Sequence, residues 1–248
     1  MIPAIVTEQL NLGINNADLV RAAERLQKGG TYRDLSTIIV CPTRGVIPDR
    51  VVQAWMGLIR PMNQKVIGPL FFRGYEVGAA YSMAVQMVLD NPELSNWKYI
   101  CTIEEDNIPP PDGLLKLYEA MEGGVDGVTY DGVGGLYWTK GEGGQPMIYG
   151  DPAVEPMNFI PQVPRPDCVQ PANGLGMGFN LFRVSMLKDE RLERPLFQTK
   201  QEYKPEGGSR LYTQDLFFYE NARKLGYKFA CDTRVRVGHL DPATDVVW

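Results

Sequence analysis

Apolar and polar positions alternate along the chain in two rhythms. "STIIVCPTRG" and "WKYICTI" hold short, mainly apolar runs, the pattern of strands buried on both faces. Between Tyr75 and Leu89, Val77, Ala80, Tyr81, Ala84, Val85 and Val88 recur at helical spacing and predict a helix. "RVVQAWMGLI" reads as another, and "QKVIGPLFFRG" as a strand that its proline demotes to an edge. After "WKYICTI", prolines 109 to 111 stop the strand and Asp112 is placed to cap the helix "GLLKLYEAM". "VDGVTYD" reads as the next strand and "NGLGMGFNLFRVSML" as a turn, a strand and a short helix. "TQDLFFYENARKLGYKFACDTRVRVGHL" reads as a helix stopped at Gly226, then a strand, then a final strand-like stretch.

Strands and helices alternating in this way predict a three-layer α/β/α sandwich with a mostly parallel, mixed central sheet. An N-terminal segment, residues 1–36, carries a predicted helix capped by Asn16, with Leu19, Val20, Ala23 and Leu26 on one face and Gly29-Gly30 at its end. We read this segment as an extension. Residues 37–248 then form a single catalytic-type domain, its first half at about 37–135 and its second at about 136–248. Two Gly/Pro-rich stretches, 139–165 and 198–210, are expected to be irregular or to form short hairpins, and loops of that length in compact domains are often functional. No internal repeat is present.

Composition narrows the class. Of the 248 residues, 44% are hydrophobic and 22% charged, as in ordinary globular proteins, and the net charge of −5 disfavours a broad basic face for nucleic acid. No apolar run approaches a membrane span and the N-terminus lacks a signal-peptide pattern, so a soluble, cytoplasmic protein is expected. The four cysteines form no C-x-x-C pair and read as reduced thiols.

The chemistry gathers at "IEEDN", where the strand ends in three consecutive carboxylates. In an α/β sheet ligands bind at the carboxyl ends of strands. Along an extended strand Glu104 and Asp106 share a direction and Glu105 points away, to pair within the protein. A divalent cation would relieve the repulsion of the first two; a turn or capping cluster is the structural alternative. His239, the single histidine, rules out a three-histidine zinc centre and suits a mixed carboxylate and imidazole site for an ion such as Mn²⁺. Asp215 opens a predicted helix, where the helix dipole favours a carboxylate and where one can also serve as a general base. Gly174, Gly176 and Gly178 form G-x-G-x-G, not the dinucleotide fingerprint, and suit a tight turn or close backbone approach.

Taken in order, "IIVCPTRG", "YICTIEEDNIPPPDGLLKLYEAM", "NGLGMGFNLFRVSML" and "TQDLFFYENARKLGYKFACDTRVRVGHL" resemble a GT-A-fold glycosyltransferase of the family 2 kind, over about Thr37 to Leu240. The resemblance implies transfer of a sugar from a nucleotide-diphosphate donor to an acceptor hydroxyl, with Mn²⁺ or Mg²⁺ as cofactor. It implies that Asp106 and His239 hold the metal and that Glu104, with Glu105 beside it in the motif, faces the nucleotide. It assigns Pro42, Thr43 and Arg44 to the nucleotide base, Gly176 and Gly178 to close approach of the sugars, and Asp215 to the base of an inverting reaction. Three departures stand out. Glu104 replaces the first Asp of the D-x-D pair, Gln214 precedes Asp215 where the family has an acid, and the helix after Gly74 lacks an Arg-Asn pair, with Arg73 as the candidate substitute. A nucleotidyltransferase of similar fold and a non-catalytic sugar-nucleotide-binding relative are the alternatives. The first is disfavoured by the poor phosphate loop "CPTRGVIPDR", the second by the joint presence of Asp106, Asp215 and His239. For the acceptor, a glycan and a hydroxymethylated DNA base both stay open.

Overall fold

The computed structural model describes Glu24 and residues 34–62, 64–124, 127–203 and 208–248. The predicted N-terminal helix lies, Glu24 apart, outside the described residues.

The elements follow in the order β1 (Thr37–Thr43), α1 (Asp49–Met56), β2 (Val66–Arg73), α2 (Val77–Asp90), β3 (Tyr99–Ile103), β4 (Asn107–Ile108), α3 (Gly113–Gly123) and β5 (Gly132–Leu136). Then come β6 (Ile148–Tyr149), β7 (Val169–Ala172), β8 (Gly174–Leu175), β9 (Phe179–Arg183), α4 (Val184–Leu187), β10 (Lys200–Tyr203) and β11 (Ser209–Tyr212). The chain continues through α5 (Gln214–Lys224), β12 (Phe229–Arg236), β13 (Gly238–Asp241) and β14 (Val246–Val247).

The main sheet has seven strands in the order β2-β1-β3-β9-β5-β12-β7. β2, β1 and β3 run parallel, as do β5 and β12, while β9 lies antiparallel between β3 and β5 and β7 antiparallel on the far edge. β1 shows why the sheet is a middle layer. Ile39 and Cys41 join one core with Trp55 of α1 and Leu114, Leu117, Tyr118 and Met121 of α3. Ile38 and Val40 face the other, with Tyr81, Ala84, Val85 and Val88 of α2 and Phe218 and Tyr219 of α5. Every residue of β1 is buried, which is what its continuous apolar run encodes. β2 is the edge strand its proline requires, and its pairing with β1 shifts register around Gly68-Pro69.

Two expectations are corrected. The strand read at "VDGVTYD" starts later, at Gly132, in "GVGGL". Intrinsic propensity disfavours so many glycines in a strand, but neighbours leave no room for side chains. A Cβ on Gly132 would lie 2.7 Å from Phe182 and one on Gly135 2.7 Å from Val237. Asp112 stands at the head of α3 without bonding a helix N–H, and its carboxylate instead meets Lys116 at 2.9 Å. Both Gly/Pro-rich stretches hold short pairings, one of their two expected forms: β10 with β11 antiparallel in 198–210, and β6 with β8 and the single bridges Trp138–Pro146 and Tyr149–Pro161 around 139–165.

Candidate active site

β1 and β3 are parallel neighbours, so their carboxyl ends open on the same edge of the sheet. A cleft of about 400 Å³ lies there, lined by Pro42, Thr43, Arg44, Tyr75, Val77, Glu104, Glu105, Asp106 and Lys140. Six of the sequence-predicted residues therefore meet in one cavity. A larger cleft, about 670 Å³, lies beside Glu119, Tyr130, Arg165, Cys168 and Arg234. It holds none of the predicted residues, and its Arg234 is already neutralised by buried Asp232 at 2.8 Å.

The three acids do not alternate along a strand, because β3 ends at Ile103. Glu104 starts a turn closed by the Asn107 N–H donating to its carbonyl at 3.0 Å, and the turn fans the carboxylates apart. Glu105, expected to point away, stays in the cleft wall. Its carboxylate accepts from the Thr43 hydroxyl at 2.6 Å, the Arg44 N–H at 2.8 Å and the Arg44 Nε at 2.5 Å. Burial opposes its ionisation, yet these donors outweigh burial and hold the carboxyl below its usual range. Glu105 thus fixes the loop after β1.

Glu104 accepts from the Tyr81 hydroxyl at 3.0 Å, and its own N–H donates to the Gly178 carbonyl. Burial first, then the charge of Asp106, push its carboxyl up to about 7, against the Tyr81 hydrogen bond. Asp106 is ionised. Burial disfavours its charge, but the His239 imidazole and the Lys140 ammonium hold the carboxyl below its usual range.

His239 reaches this place through backbone pairing. β13 pairs antiparallel with β4, setting His239 opposite Asn107, and the Leu240 N–H donates to the Asp106 carbonyl at 2.8 Å. The imidazole stands edge-on to Tyr137, and its Nδ1 lies 2.7 Å from the Trp138 carbonyl. A carbonyl only accepts, so Nδ1 carries a proton; Nε2 bears the second proton when the ring is charged and pairs with Asp106, and offers its lone pair to an ion when the ring is neutral. Nε2 faces Asp106 Oδ2 at 3.6 Å. Lys140 Nζ lies 2.5 Å from that same oxygen. An ionised carboxylate, an imidazole nitrogen oriented by a backbone carbonyl and a cation already drawn to the carboxylate are features that fit a divalent ion. Among the described residues no group of three or more His, Cys, Asp and Glu side chains is placed to hold one.

Asp215 is the second residue of α5, buried, and burial raises its proton affinity. The Thr213 hydroxyl and the Leu216 N–H both donate to Oδ1. Its charge is felt at Glu104 and at Tyr149, which sets it on the same side of the molecule as the acids. Gly176 and Gly178 lie under the site, fully buried. A Cβ would fall 2.2 Å from the Tyr137 hydroxyl at Gly176 and 2.5 Å from Asn107 Oδ1 at Gly178. Arg73 is exposed, its guanidinium against Gly45 at the cleft rim. Trp138 and Phe159 pack partly buried against the core, and the Tyr149 hydroxyl rests 2.9 Å from Met147 Sδ. Tyr81 and Lys140 escaped the sequence reading. Tyr81 shows there only as a core position, and Lys140 as one lysine in a glycine-rich loop.

No protein-family model and no curated protein matches the chain. Solved structures do. The crystal structure of A197 from STIV superposes with a TM-score of 0.55 at 16% identity, over 84% of this chain and 86% of that one. The fold is GT-A-like. A second neighbour is the crystal structure of GalNAc-T7 with UDP, GalNAc and Mn²⁺, at a TM-score of 0.53 and 11% identity, over 84% of this chain and 44% of that chain. In the GT-A-like frame of this chain the acids stand at the carboxyl edge of the parallel strands. Among the described residues no helix is long and apolar enough to cross a membrane.

Proposed function

We propose that this protein transfers a sugar from a nucleoside-diphosphate sugar to an acceptor hydroxyl, with a divalent cation bound by Asp106 and His239. The observation that carries this reading is the convergence of Asp106 Oδ2, His239 Nε2 and the Lys140 ammonium at the mouth of the Thr43–Glu105 cleft. The GT-A-like fold and the order of motifs resembling family 2 support it.

The cleft divides by chemistry. Glu105 pins Thr43 and Arg44, so the loop after β1 forms a rigid wall for the nucleotide, next to Pro42. Tyr75 and Val77 at the start of α2 form the opposite wall, and the Glu76 carboxylate caps that helix terminus by accepting from the Ala79 N–H. A divalent ion, when bound, supplies charge neutralisation for the departing nucleoside diphosphate. Arg44 and Lys140 add positive charge around the same position. Glu104, held by Tyr81 and sharing its proton near neutrality, is placed to contact the donor's hydroxyl groups in either form. Asp215 keeps Oδ2 for the acceptor. Its two side-chain hydrogen bonds fall on Oδ1 and orient it, and burial makes it a stronger base than a free aspartate. Attack from the face opposite the leaving group gives inversion.

The test is a screen of sugar nucleotides with Mn²⁺ for thermal stabilisation and donor hydrolysis, followed by acceptor trials that include glycans and hydroxymethylated DNA. Stabilisation by one nucleotide sugar that needs the metal is expected. No stabilisation by any sugar nucleotide with any divalent ion overturns the reading. Asp215→Asn is expected to keep donor binding and lose roughly 10²–10⁴-fold in kcat, the usual contribution of a general base. Unchanged turnover would place the base elsewhere.

A further inference from the structure

Lys140 Nζ and His239 Nε2 address the same oxygen of Asp106, at 2.5 and 3.6 Å. A metal ion ligated by that oxygen sits about 2 Å from it, so an ammonium left in place would stand within a few ångströms of a second, larger positive charge. The two cannot share Oδ2. We infer that Lys140 is a built-in counter-cation of Asp106, which a divalent ion must displace to bind. This inference rests on the metal-dependent reading above and deepens it, adding a residue that sets how readily the site accepts its ion.

The surrounding chain is made for such an exchange. Lys140 is followed by Gly141 and Gly143, both in left-handed conformations with open space on the side-chain side, so the turn can change shape without steric cost. The base of the turn is closed by the Thr139 N–H donating to the Gln145 carbonyl and the Gln145 N–H donating to the Thr139 hydroxyl, both at 2.9 Å. The Trp138–Pro146 bridge lies just below. Lys140 can therefore leave Asp106 while Trp138, whose carbonyl orients His239, stays where it is. The side chains of Lys140 and Asp106 keep 29% and 15% of their exposure, so the pair is shielded but open to exchange. With Lys140 seated, the acid cluster carries its own compensation. With the ion seated, the lysine is released into the cleft that it lines.

Direct Mn²⁺ titration of the whole protein by electron paramagnetic resonance, without nucleotide, tests this. Lys140→Met is expected to tighten Mn²⁺ binding about tenfold, which corresponds to Lys140 occupying Asp106 for roughly nine-tenths of the time in the metal-free protein. Arg73→Met removes the same charge from the cleft rim and is expected to shift the affinity far less, separating direct competition from a general field. In the wild type, acetylation of Lys140 read by mass spectrometry is expected to accelerate when Mn²⁺ is added. In Asp106→Asn it should be fast with or without the ion. Equal Mn²⁺ affinity in Lys140→Met and wild type, or labelling insensitive to Mn²⁺ in the wild type, overturns the inference while leaving a metal site intact. Failure of both proteins to bind Mn²⁺ at all, in this titration and in a repeat with a nucleoside diphosphate added, overturns the inference and the metal reading together.

Discussion

Glu104 is the residue whose environment is most at odds with its charge. Its unfolded carboxyl ionises near the ordinary value of 4.5, whereas in the fold burial and Asp106 raise it to about 7. Between those values the native state holds a proton that the unfolded chain has released, so stability falls as pH rises from 4.5 to 7 and then levels off. Glu104→Gln keeps an acceptor for Tyr81 and removes this penalty. Thermal denaturation should show the variant more stable than wild type at pH 8 by about 1–3 kcal/mol, with little difference near pH 4, a range that allows for the side chain's remaining contact with the cleft. A stability gap that does not grow with pH would show that Glu104 is not strained. At this scale the sequence disclosed the acids and the lone histidine, because few other residue types can do their chemistry. It could not disclose the Tyr81 hydroxyl under Glu104 or the Lys140 ammonium on Asp106, which depend on where a helix and a loop come to rest. Nor could strand alternation assign Glu105, because the three acids stand on a turn.

Among the elements, β5 makes the clearest physical case. It is a strand by its neighbours' demand, with "GVGGL" threaded between larger side chains. A Cβ on Gly134 would fall 1.8 Å from Asn180 Oδ1 and 2.9 Å from Leu175. Gly134→Ala should therefore cost about 1–3 kcal/mol or more in urea denaturation, through displacement of buried Asn180. Gly123→Ala, where a Cβ meets nothing within 4 Å at the end of α3, should be neutral or slightly stabilising. Equal effects of the two would mean that packing does not dictate the glycines of β5. Helices α2, α3 and α5 were legible because their apolar stripes are long and periodic. β5 was displaced in the reading because propensity counts glycine against a strand, and the reason for glycine lies in β9 and β12, remote in sequence. The β10–β11 hairpin was legible only as one option for a Gly/Pro-rich stretch, because its pairing carries no hydrophobic alternation.

At the scale of the whole molecule, the alternation of elements disclosed three layers, and the antiparallel insertion of β9 between β3 and β5 had no local signal. The cysteines report on the integrity of these layers. Cys41, Cys101 and Cys231 are buried in the sheet and Cys168 is half-buried, all four as free thiols. A thiol reagent should modify one cysteine in the native protein and all four after denaturation. Rapid reaction of two or more native thiols would contradict the packing of the sheet. The pairing of β4 with β13 has a consequence for biosynthesis. Asp106 and His239 are separated by more than half the chain, so the emerging polypeptide presents its acid cluster long before the imidazole exists. Through that interval Lys140, much nearer in sequence, is the partner within reach. The nascent protein can thus compensate the charge of Asp106 before it has any means of holding an ion.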